Sequence, residues 1–599
     1  MLVTLTTAVD SLLVQPTLRP VRSRAPSMGM TSAHTALKVA PRQELWNDSI
    51  KQAWISAYVS AEGESDYEIE DIEGVIPAEL QGTIFRNGPG NFERGGTRYE
   101  HVLDGDGLVC RITIDGVSGR AHFRSRFVRT PEFEKEEEAD AVLHRNTFGT
   151  QPPNWLDNVG VVSLKNAANT NVQVWGGALY ALWEAAPPVR LDPRTLAPEQ
   201  ASADLGVGLT PGLTVTTGLE QLDKIFGLGN AFTAHPRLDA ARGALVGWKW
   251  TAKPDQSSLV ASVYEWDEAS GALLHETPCQ LPSAVAPHDF GVTASYYVFQ
   301  LNAMSLAVLP FALGLKGPVD CLRTTGGGVT LLLVPRPGGP RAGEEAVYIE
   351  TADPYFGIHH ACALEEAEAD GTTRVVLYTA GWPRVGEGPF LGDWGGAVPL
   401  YDEGRILPTL LFETTVTVPP RGRAAAGEKP RVLKRDVAGG ACIDHPHVDP
   451  RFEGDANVRF VYMSFCADEP TSGTPPIGWQ RYDRTTGEVV RWTAAANTFC
   501  EEIVVIPKPR QGEEAGAAPP EADEADAYLA GMMYDHSKAR SCLAIFDAAR
   551  LADGPLCRLW LNEKIPHGLH GCWTPTSYWG DADEGADAPA RSAIWAARR

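Results

Sequence analysis

Apolar and polar positions alternate along this chain in short runs, and one device recurs. A few strand-forming residues end in Asp, several polar residues turn the chain, and a second apolar run begins. It is seen at Ile112-Thr113-Ile114-Asp115 with Gly119, at Val189-Arg190-Leu191-Asp192-Pro193, and at Tyr264-Glu265-Trp266-Asp267 with Gly271. It returns at Arg481-Tyr482-Asp483 with Gly487 and at Ala544-Ile545-Phe546-Asp547. Runs bounded in this way are hairpin signals. Some of the intervals are about 65 to 80 residues, longer than a four-stranded blade needs but compatible with blades that carry insertions. Strand-rich segments such as Thr373-Arg374-Val375-Val376-Leu377-Tyr378 and Ile503-Val504-Val505-Ile506 fill the intervals. The pattern predicts an all-β propeller.

Two stretches depart from strand character. Residues 217–226 read as a short helix, and residues 302–315 are apolar with one proline and too short to span a membrane. The second reads either as core or as an apolar cap through which Leu306, Leu309, Phe311 and Leu313 make peripheral contact with a membrane. Residues 509–525 are acidic and rich in Gly and Pro, the composition of a disordered surface loop.

Composition changes this picture at the N-terminus. Residues 1–42 carry Arg19, Arg22, Arg24, Lys38 and Arg42, many hydroxyl side chains and one acid, Asp10. That is the make-up of an organelle transit peptide, which predicts a plastid protein; the alternatives are a disordered tail and a cytoplasmic location. Residues 43–599 then form the folded domain. The 10 cysteines show no CxxC pair, which fits a reducing compartment such as cytosol or stroma. A net charge of −24 argues against nucleic acid as a partner.

Candidate chemistry rests on histidines. His570 stands in Gly568-Leu569-His570-Gly571, where the glycines allow close backbone approach around a crowded centre. His235 in Thr233-Ala234-His235-Pro236-Arg237, His288 in Pro287-His288-Asp289-Phe290, and His359 in Phe356-Gly357-Ile358-His359-His360 have similarly compact surroundings. None is near another in sequence, so only a closed fold brings the four together. Four neutral imidazoles suit iron, zinc or copper. Structural zinc is closed by four ligands, whereas ferrous iron keeps two further positions, and residue types alone leave the choice between iron and zinc open.

These four motifs, with Ala361-Cys362-Ala363-Leu364-Glu365-Glu366 after the third, resemble the metal-ligand motifs of the carotenoid cleavage oxygenases, in the family's order. Pro77-Ala78-Glu79-Leu80-Gln81-Gly82-Thr83-Ile84-Phe85-Arg86-Asn87-Gly88-Pro89 and His101-Val102-Leu103-Asp104-Gly105-Asp106-Gly107 resemble its N-terminal signature; His101 reads as structural within that turn. The resemblance runs from about Pro77 to about Trp573. It implies a seven-bladed β-propeller with a helical or loop cap over the metal face. It implies iron(II) held by His235, His288, His359 and His570. The implied activity is cleavage of a conjugated double bond of a carotenoid or apocarotenoid by O2, with two carbonyl products. Carboxylates hydrogen-bonded to the ligand rings would offset the metal's charge and orient those rings. Matching the motifs puts them at Glu184 in Ala181-Leu182-Trp183-Glu184, at Glu502 (with Glu501 beside it), and at Asp444 in Cys442-Ile443-Asp444-His445-Pro446, where the family has Glu. Cys362 stands where the family has Asn, and spacing favours His359 over His360, which alternation points to the other face.

Three other readings compete. The same iron scaffold serves a non-oxidative isomerase. His445-Pro446-His447 followed by Glu453 approaches the His-x-His…Glu pattern of cupin metal enzymes, with a late Glu and no second motif. A non-catalytic propeller acting as an interaction platform would need no separated histidines.

Overall fold

The recurring Asp is a turn-maker in each of its predicted places. Asp115 accepts from the backbone N–H of Val117 and Ser118, Asp192 from Arg194 and Thr195, and Asp267 from Ser270. Asp483 accepts from Thr485 and Thr486, and Asp547 from Ala549. Gly119, Gly271 and Gly487 follow at φ 68°, 67° and 76°, the left-handed region open to glycine. Each device links two antiparallel strands, from the three-residue pair around Asp192 to the long pair around Asp115, and Asp547 also caps the 3-10 helix Ala548–Asp553. The computed structural model describes residues 46–579, apart from 162, 201–230, 253–257, 269, 390–397, 402–405, 422, 424–426, 428, 469–472 and 510–523. The tail 1–42, the helix expected over 217–226 and nearly all of the acidic stretch 509–525 lie outside the described residues.

The protein is mostly β. Among the described residues, seven sheets have four or more strands, and their ladders are antiparallel. Each sheet begins on an inner strand and ends on a more exposed one. Phe356–Ala367 is buried over most of its length, whereas the edge strand of the same sheet, Arg431–Asp436, presents Arg431 and Arg435, charges that discourage edge-to-edge pairing. Inner strands of successive sheets touch. Phe290–Val292 meets Phe356–Ala367, which meets Cys442–His447; that strand meets Thr498–Pro507, which meets Gly571–Thr574, and Gly571–Thr574 meets Asn171–Trp175. Arg237–Asp239 meets Phe290–Val292, and Trp175, Leu182, Phe232 and Trp266 pack the two remaining neighbours together.

Both ends of the folded unit are stitched to each other. Gly571–Thr574 pairs with Gln81–Arg86, and Asp71–Gly74 pairs with Cys557–Trp560. Ile84, Ile112, Ile545 and Leu559 from these sheets share one buried cluster. The first of these pairings carries His570 to the inner face, because His570 immediately precedes the strand.

Residues 302–315 form the strand Met304–Leu306 and the helix Val308–Ala312. Leu309, Leu313 and Leu315 are 69%, 44% and 61% exposed and lie at the surface, whereas Leu306 and Phe311 are half-buried, with the Arg145 guanidinium over the Phe311 ring. Gly160 N–H donates to the Ala312 carbonyl, which sets exposed Trp155, Leu156 and Val159 beside it. Among the described residues no helix is long and apolar enough to cross a membrane.

Candidate metal centre

The inner strands and the loops leading into them carry the predicted histidines. His235 lies between Ala231–Phe232 and Arg237–Asp239, with its N–H on Thr233 Oγ1 at 3.0 Å. His288 stands two residues before Phe290–Val292, His359 lies within Phe356–Ala367, and His570 precedes Gly571–Thr574. The ladder of Phe356–Ala367 is irregular on both sides of His359 and His360, the kind of bulge that re-aims a side chain. A Cβ on Gly568 would lie 2.0 Å from Arg86 Nε, and one on Gly571 would lie 2.5 Å from the Phe85 carbonyl oxygen. Glycine on both sides of His570 is therefore a requirement of close packing.

The four rings converge. Nε2 of His235 and His288 are 3.0 Å apart, Nε2 of His288 and His359 are 3.3 Å apart, and the His235 and His570 ring centroids are 4.6 Å apart. One nitrogen from each of the four lies within 4.8 Å of the others. Three rings turn their other nitrogen to a carboxylate. His288 Nδ1 meets Glu184, His359 Nδ1 lies 2.7 Å from Asp444 Oδ1, and His570 Nδ1 lies 2.6 Å from Glu502 Oε1.

Burial raises the pKa of all three carboxyl groups, but the adjacent imidazoles and their hydrogen bonds outweigh it and hold each below its ordinary range. The carboxylates are ionised and can only accept, so each Nδ1 carries the proton and donates. With Nδ1 protonated, a neutral ring leaves its Nε2 lone pair free, and the Nε2 atoms of His288 and His359 lie 3.3 Å apart. Lone pairs held that close repel unless a cation lies between them, so this donor set fits a metal ion. Burial, then neighbouring His288, pushes His235 well below its ordinary value, and burial lowers His570 against the pull of Glu502. Burial also opposes protonation of His288, but Glu184 outweighs it and raises that imidazole.

Asp444 is one methylene shorter than the Glu of the family, and the local backbone makes up the difference. The ladder with Phe460–Ala467 is irregular between Asp444 and His447, His445 adopts φ 47°, and the His445 N–H donates to Asp444 Oδ1 at 2.8 Å. The carboxylate meets its imidazole directly. Glu501 and Glu502 are also distinguished: Glu501 faces away onto Arg86 Nε at 2.7 Å. His360 turns from the centre to Thr379 Oγ1 at 2.8 Å, and Cys362 is buried in a hydrophobic cluster. His101 caps a 3-10 turn by accepting from Leu103 N–H at 3.1 Å.

Three groups outside the predicted ligand set gather here: the Arg237–Asp289 pair, Glu453, and the histidines His445 and His447. Arg237 donates to both Asp289 oxygens at 2.6 Å and to the Phe290 and His360 carbonyls, tying three histidine-bearing segments together. The Ala234-His235-Pro236-Arg237 and His288-Asp289-Phe290 motifs already contained that pair. Glu453 pairs with Arg237 at 3.1 Å, and among the described residues it joins no metal-competent group with His445 and His447, so the cupin-type triad is not assembled. The His445 ring centroid lies 5.0 Å from that of His359 in a tilted contact and 5.1 Å from that of His570 in an edge-on one, and His447 Nε2 lies 2.6 Å from Glu502 Oε1. A cavity of about 140 Å³ opens onto these groups, lined by His235, Arg237, His359, His447 and His570 among others.

Residues 57–575 match the family model described as retinal pigment epithelial membrane protein, RPE65. The chain is 32% identical over 531 residues to the apocarotenoid-15,15'-oxygenase of Synechocystis sp., spanning 88% of this chain and 96% of that protein. It is 25% identical over 558 residues to the chloroplastic carotenoid cleavage dioxygenase 7 of Oryza sativa subsp. japonica, spanning 84% and 87% of the two chains. The crystal structure of cobalt-substituted Synechocystis ACO aligns with a TM-score of 0.72 at 31% identity, covering 89% of this chain and all of that one.

Proposed function

The chain belongs to the RPE65 and carotenoid cleavage oxygenase family, and from that premise we propose that it cleaves a conjugated double bond of a carotenoid or apocarotenoid with O2. The alkene and one O2 give two carbonyl products, so no further reductant enters the balance. His235, His288, His359 and His570 hold iron(II), which supplies the redox chemistry that makes O2 reactive toward an alkene. Glu184, Asp444 and Glu502 fix the Nδ1 tautomer of three rings, aim Nε2 inward and offset the metal's double charge. The observation that carries this reading is the convergence of four imidazole nitrogens within 4.8 Å, with the His288 and His359 Nε2 atoms 3.3 Å apart and each of those two rings pinned by a carboxylate. Single His→Ala variants at the four positions test it: each abolishes turnover and stoichiometric iron. Full iron and activity in His570→Ala would refute the assignment.

The fold that accompanies this function is a seven-bladed propeller formed by residues 43–599. Seven antiparallel sheets whose inner strands touch in succession support it, as does the pairing of N-terminal with C-terminal strands. The site lies where those inner strands meet. Exposed Leu309, Leu313, Leu315, Trp155 and Leu156 form an apolar surface that fits peripheral contact with a bilayer, the source of a lipid-soluble substrate. Residues 1–42 are the plastid-targeting segment. Their basic, acid-poor composition supports that reading, and one plant relative is named as chloroplastic.

A further inference from the structure

His447 reaches the site from outside the ligand set. It ends the strand Cys442–His447, beyond the irregularity that follows Asp444. Its Nε2 lies 2.6 Å from Glu502 Oε1, the same oxygen that lies 2.6 Å from His570 Nδ1. Glu502 Oε2 accepts from Gly571 N–H at 2.7 Å. Glu502 thus meets three donors, two of them on one oxygen.

That saturation matches its burial. The Glu502 side chain is 4% exposed, against 41% for Glu184 and 29% for Asp444. A buried carboxylate that lacks donors is costly, and one free to rotate cannot orient its partner. Gly571 N–H fixes one oxygen from the His570 side. His447 shares the other oxygen with His570 and stands with its side chain 38% exposed on the cavity wall.

We propose that His447 is a positioning residue of the metal centre: by donating to the Glu502 oxygen that also receives the His570 proton, it holds that carboxylate, and through it the His570 ring, with Nε2 aimed inward. The inference rests on reading His570 as a metal ligand. It gives the second histidine of His445-Pro446-His447 a role distinct from cupin-type ligation, since its Nε2 is spent on a carboxylate.

Cobalt(II) affinity of the full chain, measured by chelator competition together with the cobalt d–d absorption, tests this without reference to turnover. His447→Phe, which keeps an aromatic ring and removes the donor, is expected to weaken cobalt binding about 10-fold, the lower end for loss of an outer-shell partner, because two donors to Glu502 remain. The absorption bands shift with it. His447→Gln, whose amide N–H reaches toward the same oxygen, stays within about 3-fold of wild type. In a Glu502→Gln background, adding His447→Phe changes affinity by less than about 2-fold, because the residue acts through Glu502. Unchanged affinity in His447→Phe, an equal loss in the Glu502→Gln background, or a His447→Gln variant no better than His447→Phe overturns the proposal. Should His447→Phe fail to fold, His447→Val against His447→Gln carries the same comparison. A folded wild-type chain that takes up no cobalt overturns the metal reading itself, and this inference with it.

Discussion

Asp444 offers the sharpest perturbation of the metal centre. Its Oδ1 accepts from His359 Nδ1 at 2.7 Å and from the His445 N–H at 2.8 Å. Asp444→Ala removes both acceptances and one negative charge beside a dication. A hydrogen bond to a charged group contributes about 1.5–3 kcal/mol, and about 1.4 kcal/mol is tenfold, so His359 alone accounts for a loss of roughly 10- to 100-fold. Asp444→Asn keeps an acceptor of the same shape without the charge, and falls between Ala and wild type. Asp444→Glu carries one more methylene, about 1.5 Å of extra reach, which the partly exposed position accommodates by folding the side chain back. It stays within about 5-fold of wild type, since the charge and the donor pair survive. Burial raises the Asp444 carboxyl, but His359 and His445 hold it well below the ordinary carboxylate range. The group is therefore ionised throughout neutral pH, and the Ala defect is the same at pH 6 and pH 8. Iron affinity by chelator competition and steady-state turnover are the assays. Wild-type iron affinity and turnover in Asp444→Ala would refute the reasoning and reduce Asp444 to a strand-end acid.

Three further outcomes follow from the same structure. Removing the metal with a chelator lowers the unfolding midpoint, since a ligand at 100 times its Kd contributes about 2.7 kcal/mol to the folded state; a midpoint indifferent to metal loss contradicts a centre that joins several sheets. Leu309→Asp combined with Leu313→Asp lowers co-sedimentation with lipid vesicles several-fold while leaving cleavage of detergent-solubilised substrate intact, and unchanged vesicle binding removes the membrane role of that surface. A chain beginning at Gln43 folds and turns over as the full chain does, and residues 1–42 fused to a fluorescent protein direct it to plastids; a fusion that stays cytosolic contradicts the targeting.

What the sequence made legible is local or motif-borne. The Asp of each hairpin bonds to backbone N–H groups two or three residues on, so Asp115, Asp267 and Asp483 announce turns without any knowledge of the fold. The four histidines were recognisable because each sits in a distinctive motif, although their meeting point depends on pairings between distant segments. The partnership of Gln81–Arg86 with Gly571–Thr574 has no local signal. Neither does the choice between Glu501 and Glu502: strand neighbours face opposite ways, and a register shift between Cys500 and Ile503 decides which one faces inward. His447 was hidden for a related reason. A His-x-His run reads as a ligand pair until the irregular backbone after Asp444 separates the two rings, one against His359 and His570 and the other onto Glu502.

Oxygen labelling tests the central claim most directly. Chain purified without air, assayed for iron, is mixed with a panel of carotenoids and apocarotenoids under labelled O2, and both products are examined by mass spectrometry before carbonyl exchange with water. The account predicts one iron per chain, one O2 consumed per double bond cleaved, and one labelled oxygen in each of two carbonyl fragments. A geometric isomer of the substrate formed without O2 uptake, or cleavage by a chain free of iron, would contradict it.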